Sequence, residues 1–110
     1  DEEMDGRDDR AAQFVAYDED HPVGTARVRT PEDDVGKVER VAVRETYRRR
    51  GVGMALMDRV EAWADDHGLE TLKLHAQTHV EQFYADLGYE TTSDVFEEAG
   101  IDHVAMEKEL

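Results

Sequence analysis

Residues 45–57 read ETYRRRGVGMALM, and the way the chain enters and leaves this stretch decides the fold. Before it, residues 37–43 (KVERVAV) alternate as a strand. After it, Val52, Leu56, Val60 and Trp63 recur at i, i+4, i+8 and i+11, while Asp58, Glu61 and Asp65 lie largely off that stripe. This is the period of an amphipathic helix, predicted from residue 50 to about 67 and ended by Gly68. Residues 69–76 (LETLKLHA) return to a two-residue period, so a right-handed parallel crossover is expected here. The turn carries Arg48-x-x-Gly51-x-Gly53, with two positions that lack Cβ at the helix entrance. Unpaired backbone N–H groups and the positive end of the helix dipole converge at such a place, which suits a diphosphate with arginine nearby. Two glycines also serve any tight turn, and a dinucleotide fingerprint fails on register because position 56 is Leu56.

Outward from this centre, residues 11–17 (AAQFVAY) and 23–30 (VGTARVRT) read as strands joined through DEDHP, and PEDDVG at 31–36 makes the next turn. In the third strand, Val38, Arg40 and Ala42 are expected on one face and Glu39, Val41 and Val43 on the other. Thr78 stands three residues before Glu81, the spacing of a capping box, and Val80, Phe83, Tyr84 and Leu87 form one face of a short helix closed by Gly88. Residues 89–92 and 103–108 are the last expected strands, linked by a loop containing EEAG. The order is β-β-β-α-β-α-β-β, an α+β pattern with a mixed sheet, in one domain over residues 11–110. Residues 1–10 (DEEMDGRDDR) lack periodicity and are expected to form a flexible acidic lead-in.

The charge balance narrows the function. Asp plus Glu number 28 against 13 Lys plus Arg, a net charge of −15 that would repel nucleic acid and anionic bilayers. No apolar run approaches the ~18 residues of a membrane span, no signal peptide opens the chain, and a cytoplasmic location is expected. Ten arginines against three lysines, with acid shared by Asp and Glu, resemble the surfaces of proteins from salt-loving archaea; an ordinary acidic cytosolic protein is the alternative. The charge is uneven, since residues 37–59 hold seven bases and three acids. A basic island in so acidic a chain points to a specific small anion, unless its arginines merely pair with neighbouring acids at ~0–1 kcal/mol each.

Arg48-Arg49-Arg50-Gly51-Val52-Gly53 resembles the (Gln/Arg)-x-x-Gly-x-(Gly/Ala) motif of the GNAT superfamily of acyl-CoA N-acyltransferases. Phe83-Tyr84-Ala85-Asp86-Leu87-Gly88-Tyr89 resembles that family's second signature, and the two cover most of residues 23–92 in the right order. Within the family, HAQTH at 75–79 and EEAGIDH at 97–103 resemble the ElaA-like branch. The resemblance implies a mixed, mostly antiparallel sheet flanked by helices, and further N-terminal helices that residues 1–10 do not supply. It also implies acetyl-CoA as cosubstrate, with Val41, Ala42 and Val43 along the pantetheine arm, and Arg48, Arg49, Arg50, Gly51, Val52, Gly53 and Met54 at the phosphates. Gln77 replaces an Asn that many relatives carry as a pantetheine contact.

What the resemblance implies for the chemistry is direct acetyl transfer to a primary amine of a small molecule or peptide. Tyr84 would be the general acid, its phenol at a reference pKa of ~10 protonated at neutral pH. Absence of Cys fits transfer without an acyl-enzyme. Two residues compete as base: Glu39, expected to share a face with Val41 and Val43, and His75, whose ~6.5 reference suits proton exchange. Each also has a bland reading, Glu39 as a solvated carboxylate and His75 as a half-buried structural histidine. His75, His79 and His103 do not form a metal signature, and no metal is expected. Rivals to the enzyme are a noncatalytic acyl-CoA-binding module or degenerate partner subunit, and a plain structural domain. Oligomeric state stays open, and a homodimer is compatible with all three.

Overall fold

Alternating residues and short polar turns build the first half of the sheet. The computed structural model describes residues 11–110; the lead-in assigned to residues 1–10 lies outside the described residues. β1 (Ala12–Asp18) pairs antiparallel with β2 (His21–Glu32), and β2 with β3 (Val35–Val43). Both turns are tighter than the sequence suggested, because Asp18 already pairs with His21 and Glu32 with Val35. Most of DEDHP and PEDDVG is therefore strand, with Glu19 at φ 55° supplying the left-handed residue of the first turn.

β3 departs from its expected faces. On β2 the pairing steps from Thr25 to Arg27, while on β3 it steps from Ala42 to Glu39, so β3 carries one extra residue. Arg40, at φ 57°, is the residue in the left-handed region, which marks a β-bulge. Val38 is buried on the core side, and beyond the bulge Val41 packs against the same core. Val38 and Val41 thus share a face, and Glu39 shares one with neither Val41 nor Val43, a correction the two-residue period alone could not supply.

After β3 come α1 (Val52–Asp66), β4 (Thr71–Gln77), α2 (Glu81–Asp86), β5 (Glu90–Thr91), β6 (Phe96–Glu98) and β7 (Ile101–Glu109). The strand order is β1-β2-β3-β4-β7-β5, with β6 also on β7, and β3–β4 is the parallel pair left by the α1 crossover. The EEAG segment is not a plain loop. It is the turn of a β6–β7 hairpin whose central residues, Ala99 at φ 53° and Gly100 at φ 78°, both lie in the left-handed region that suits a right-twisted two-residue hairpin. Thr78 caps nothing: residues 78–80 form a short 3-10 turn, and Glu81 instead accepts a hydrogen bond from Thr91.

Both helices end alike. Gly68 N–H bonds to Asp65 O at 3.1 Å and Leu69 N–H to Ala64 O at 3.0 Å; Gly88 and Tyr89 repeat the arrangement on Ala85 and Tyr84. The apolar stripe Met57, Val60 and Ala64 lies on Ala26, Val28, Val38 and Leu72 of the sheet, and Leu56 lies over Gly24. Burial of side chains such as Met57, Leu72 and Met106 stabilises by about 1.5–3 kcal/mol each. α1 and α2 lie side by side on this face, since a Cβ on Gly53 would meet Phe83 Cζ at 3.2 Å. The other face carries Arg27, Arg29, Glu39, Lys73, His75 and Glu107. Among the described residues no helix is long and apolar enough to cross a membrane.

Candidate active site

The parallel ladder between β3 and β4 is short, running only from Val35↔Thr71 to Lys37↔Lys73. The bulge at Arg40 bends β3 just beyond that point, and residues 38–43 and 74–77 have no strand partner across the gap between them. Val41 and Val43 therefore present backbone groups to an open flank, whereas Ala42, opposite Thr25 and two residues before the Arg44 N–H that bonds Val23 O, turns its own toward β2 and is not part of that edge. Here an extended amide-containing arm can pair as a strand would.

The gap leads to the first turn of α1. The opening intrahelical bond runs from Ala55 N–H to Gly51 O at 3.0 Å, so the N–H groups of Val52, Gly53 and Met54 precede the ladder. No side chain caps them, and no acid lies in the first turn. The bare donors and the helix dipole favour an anion. The two glycines serve different ends. Gly51 adopts φ 84°, where a Cβ would be strained though nothing crowds it; Gly53 lets Phe83 and α2 approach α1 closely.

The three arginines also differ. Arg48 Nε donates to Val43 O at 3.1 Å and ties the turn to the end of β3. Arg50 lies over the Tyr47 ring, 4.7 Å from its centroid, and Tyr47 is itself held by a bond from its hydroxyl to Asp18. Arg49, exposed at φ 64°, has no carboxylate partner among the described residues. Arg44 is spent elsewhere, donating to Pro22 O at 2.8 Å. Met54 projects from the first turn and is half exposed.

Tyr84 enters from α2 on the helical face, packed edge-on against Phe83 and Tyr89 with centroids 4.9 and 5.9 Å away. Its ring is buried at 7% exposure, and burial pushes the phenol up to about 12. Its hydroxyl makes no hydrogen bond among the described residues, unlike that of Tyr89, which donates to Glu61 Oε2 at 3.1 Å. Lys108 Nζ reaches the same Glu61 at 2.9 Å and Leu87 O at 2.7 Å, fixing the end of α2 to α1 and β7. Trp63 is held in the helix packing, edge-on to Phe14 and stacked on His67.

The two candidate bases fare differently. Glu39 accepts a hydrogen bond from Arg29 Nε at 3.0 Å and lies 3.9 Å from Arg27 Nε. It is occupied by the β2 arginines, on the sheet face away from Tyr84. His75 also lies on that face, but at the open end of β4, two residues before Gln77, which ends the strand opposite His103. His75 Nδ1 is 2.9 Å from Glu98 Oε1, and Phe96 packs edge-on to the ring at 5.0 Å. Sequence reasoning missed Glu98 because it took the β6–β7 hairpin for a loop. The signal was Ala-Gly between alternating residues, weaker than Asn-Gly. His79 does not join this cluster, and among the described residues no group of three or more His, Cys, Asp or Glu could hold a metal ion.

Known proteins resemble this chain in sequence and in fold. The chain is 42% identical over 96 residues to a Bacillus subtilis protein named as a candidate acetyltransferase, covering 87% of this chain and 65% of that protein. To ElaA of Escherichia coli it is 32% identical over 100 residues, covering 88% of this chain and 65% of ElaA. The chain thus spans about two thirds of the length of these curated relatives. The crystal structure of E. coli ElaA superposes with a TM-score of 0.80 at 27% identity, covering 89% of this chain and 68% of that one. An aminoglycoside 6'-N-acetyltransferase complexed with coenzyme A (TM-score 0.82, covering 91% and 73% of the two chains) and an Elizabethkingia anophelis acetyltransferase with acetyl-CoA bound (0.80, covering 96% and 80%) share the fold at 17% identity. The relatives with a named source are bacterial, so the likeness of the acidic surface to archaeal proteins gains no support from them. The acetyltransferase (GNAT) domain model matches residues 1–110, and the chain belongs to that family.

Proposed function

We propose that this chain transfers an acetyl group from acetyl-CoA to a primary amine by direct attack. The observation that carries the reading is the open flank between β3 and β4 leading to the uncapped first turn of α1. The pantetheine arm would pair with the backbone of Val41 and Val43, and the diphosphate would sit on the N–H groups of Val52, Gly53 and Met54 with Arg49 beside it. Coenzyme A and acetyl-CoA in two proteins of this fold support the choice of cosubstrate. Tyr84 and His75 lie on opposite faces of the sheet, and the gap is the passage between them. This suits a reaction in which an amine approaches the thioester carbon from one side and sulfur departs on the other.

Tyr84 acts on the departing sulfur. A phenol pushed up to about 12 is a much weaker acid than a thiol at ~8.5, so donation of a hydrogen bond to the developing thiolate outweighs full proton transfer. The nitrogen must shed its proton to a base; the pairing of Glu39 with Arg29 speaks against that residue, and the partial exposure of His75 at the end of β4 supports His75. The test is thermal unfolding with CoA and acetyl-CoA, followed by thiol release against a panel of amines. Ligand at ~100 times its dissociation constant should add about 2.7 kcal/mol of stability. Stabilisation without thiol release would mark a binding module; no stabilisation at saturation would overturn the reading.

A further inference from the structure

The β6–β7 hairpin folds its tip back over the end of β4. Its two-residue turn at Ala99 and Gly100 is tight, so Glu98 and Ile101 pair directly and Glu98 is held at a fixed position beside His75 and His103. Phe96 completes the cluster, edge-on to His75 and stacked on His103 at 6.1 Å. His103 is buried, and its Nδ1 lies 2.8 Å from Ile101 O; a carbonyl only accepts, so that nitrogen carries hydrogen. Its Nε2 lies 4.0 Å from Glu98 Oε2. The other Glu98 oxygen takes His75 Nδ1 at 2.9 Å, and a carboxylate likewise only accepts.

We infer that Glu98 is a positioning residue: it holds His75 as the Nδ1–H tautomer and leaves Nε2 as the lone-pair acceptor for the proton that the attacking amine sheds. The inference rests on the acetyl-transfer reading. Nδ1 is engaged on the hairpin side, toward β7, and Nε2 lies on the far side of the ring; β4's open flank is likewise the one away from β7. His75 is about one third exposed, so an acceptor can reach it, and the Phe96 edge contact limits its rotation. The step balances: the amine lone pair bonds to the acetyl carbon, the carbon–sulfur pair leaves with sulfur, and the N–H proton passes to His75 Nε2. Solvent returns that proton, and CoA leaves as the thiol. The titratable and charged groups facing the dyad are His103 from β7, Lys37 from β3, and Lys73 of β4, paired with Glu107 of β7 at 3.8 Å. The hydrogen bond from His75 also holds the Glu98 carboxyl below its usual range, so the acceptor is a carboxylate at neutral pH.

The experiment combines ring 15N chemical shifts of His75 with pH–rate profiles of thiol release for the wild type, Glu98→Gln, Glu98→Asp and His75→Gln. Acetyl-CoA affinity is measured alongside. Expected are Nδ1–H in the wild type and loss of that tautomer in Glu98→Gln. The maximal rate of Glu98→Gln should fall about 10- to 100-fold with a displaced acid limb, less than in a buried triad because Glu98 is half exposed. Acetyl-CoA affinity should be unchanged, and Glu98→Asp should recover part of the rate. An Nε2–H tautomer in the wild type, or a wild-type profile in Glu98→Gln, would overturn the role. Wild-type protein that binds acetyl-CoA but releases no thiol with any amine overturns the catalytic reading and this role together. Thiol release indifferent to both Glu98→Gln and His75→Gln overturns this role alone.

Discussion

At Tyr84 a structural and a chemical role can be told apart, because the two make opposite demands on the hydroxyl. A core tyrosine finds a partner for its O–H, as Tyr89 does on Glu61; Tyr84 has none among the described residues. Removing an unpartnered hydroxyl leaves no orphaned group behind, so Tyr84→Phe should change stability at pH 7 by less than about 0.5 kcal/mol. The same substitution should lower thiol release about 100-fold with little effect on acetyl-CoA affinity. Alkali gives an independent check. The folded state keeps the Tyr84 proton up to about 12, whereas the unfolded chain loses it near 10. The unfolded state therefore binds fewer protons in this window, and stability is full below pH 10 and falls as pH rises toward 12. Tyr84 alone should remove about 1 kcal/mol by pH 11. Denaturant unfolding at pH 9 and 11 should show a smaller loss in Tyr84→Phe; an identical loss would mean that the phenol is not held protonated. Tyr89, raised by burial and by neighbouring Glu61, adds to the slope in both proteins.

Among the elements, β3 explains both what could be read from sequence and what could not. The strand–turn–helix order, the crossover and the glycine helix ends follow from period changes and punctuation, all local signals. The bulge at Arg40 follows from pairing with β2, and no residue in KVERVAV announces it: arginine is an unusual choice for φ 57°. One extra residue reverses the faces beyond it, which is why Glu39, expected beside Val41 and Val43, lies on the opposite face from both. Glu98 was hidden for a similar reason, because its meeting with His75 spans 23 residues and depends on the hairpin register. Deleting Arg40 tests the bulge. In the shortened strand Val38, Glu39 and Val41 alternate regularly, so Val38, Val41 and Val43 keep the core face and stability should change by no more than about 1 kcal/mol, whereas the unbent strand loses its open flank and stabilisation by acetyl-CoA should be abolished. Arg40→Gly keeps the extra residue and relieves the left-handed strain, so stability should stay within about 1 kcal/mol and ligand stabilisation should persist. Equal loss of ligand response in both variants would deny the bulge its part in opening the flank.

Over the whole molecule, a net charge of −15 and the basic segment at 37–59 pull salt dependence in opposite directions. The structure disperses that segment: Arg44 and Arg48 bond to carbonyls, Arg40 sits in the bulge, and Lys37 lies on the face with Glu98. What remains at the mouth of α1 is Arg49 and Arg50 beside the bare helix donors, a small positive site in an acidic surround. Long-range repulsion among the acids opposes folding, and it fades as the screening length shrinks from about 10 Å at 0.1 M salt to about 3 Å at 1 M. Attraction of CoA phosphates to the arginines fades over the same range. The midpoint of thermal unfolding should therefore rise from 0.1 to 1 M potassium chloride, while the dissociation constant for CoA increases. On the proposed reading, backbone donors at Val52, Gly53 and Met54 would contact phosphate directly and be screened less, so Arg49→Ala should flatten the salt dependence of binding without abolishing binding at high salt. Calorimetric unfolding and CoA titration at the two concentrations read both quantities. A midpoint that stays flat or falls would show that the excess acid is paired in the folded chain and contributes no net repulsion.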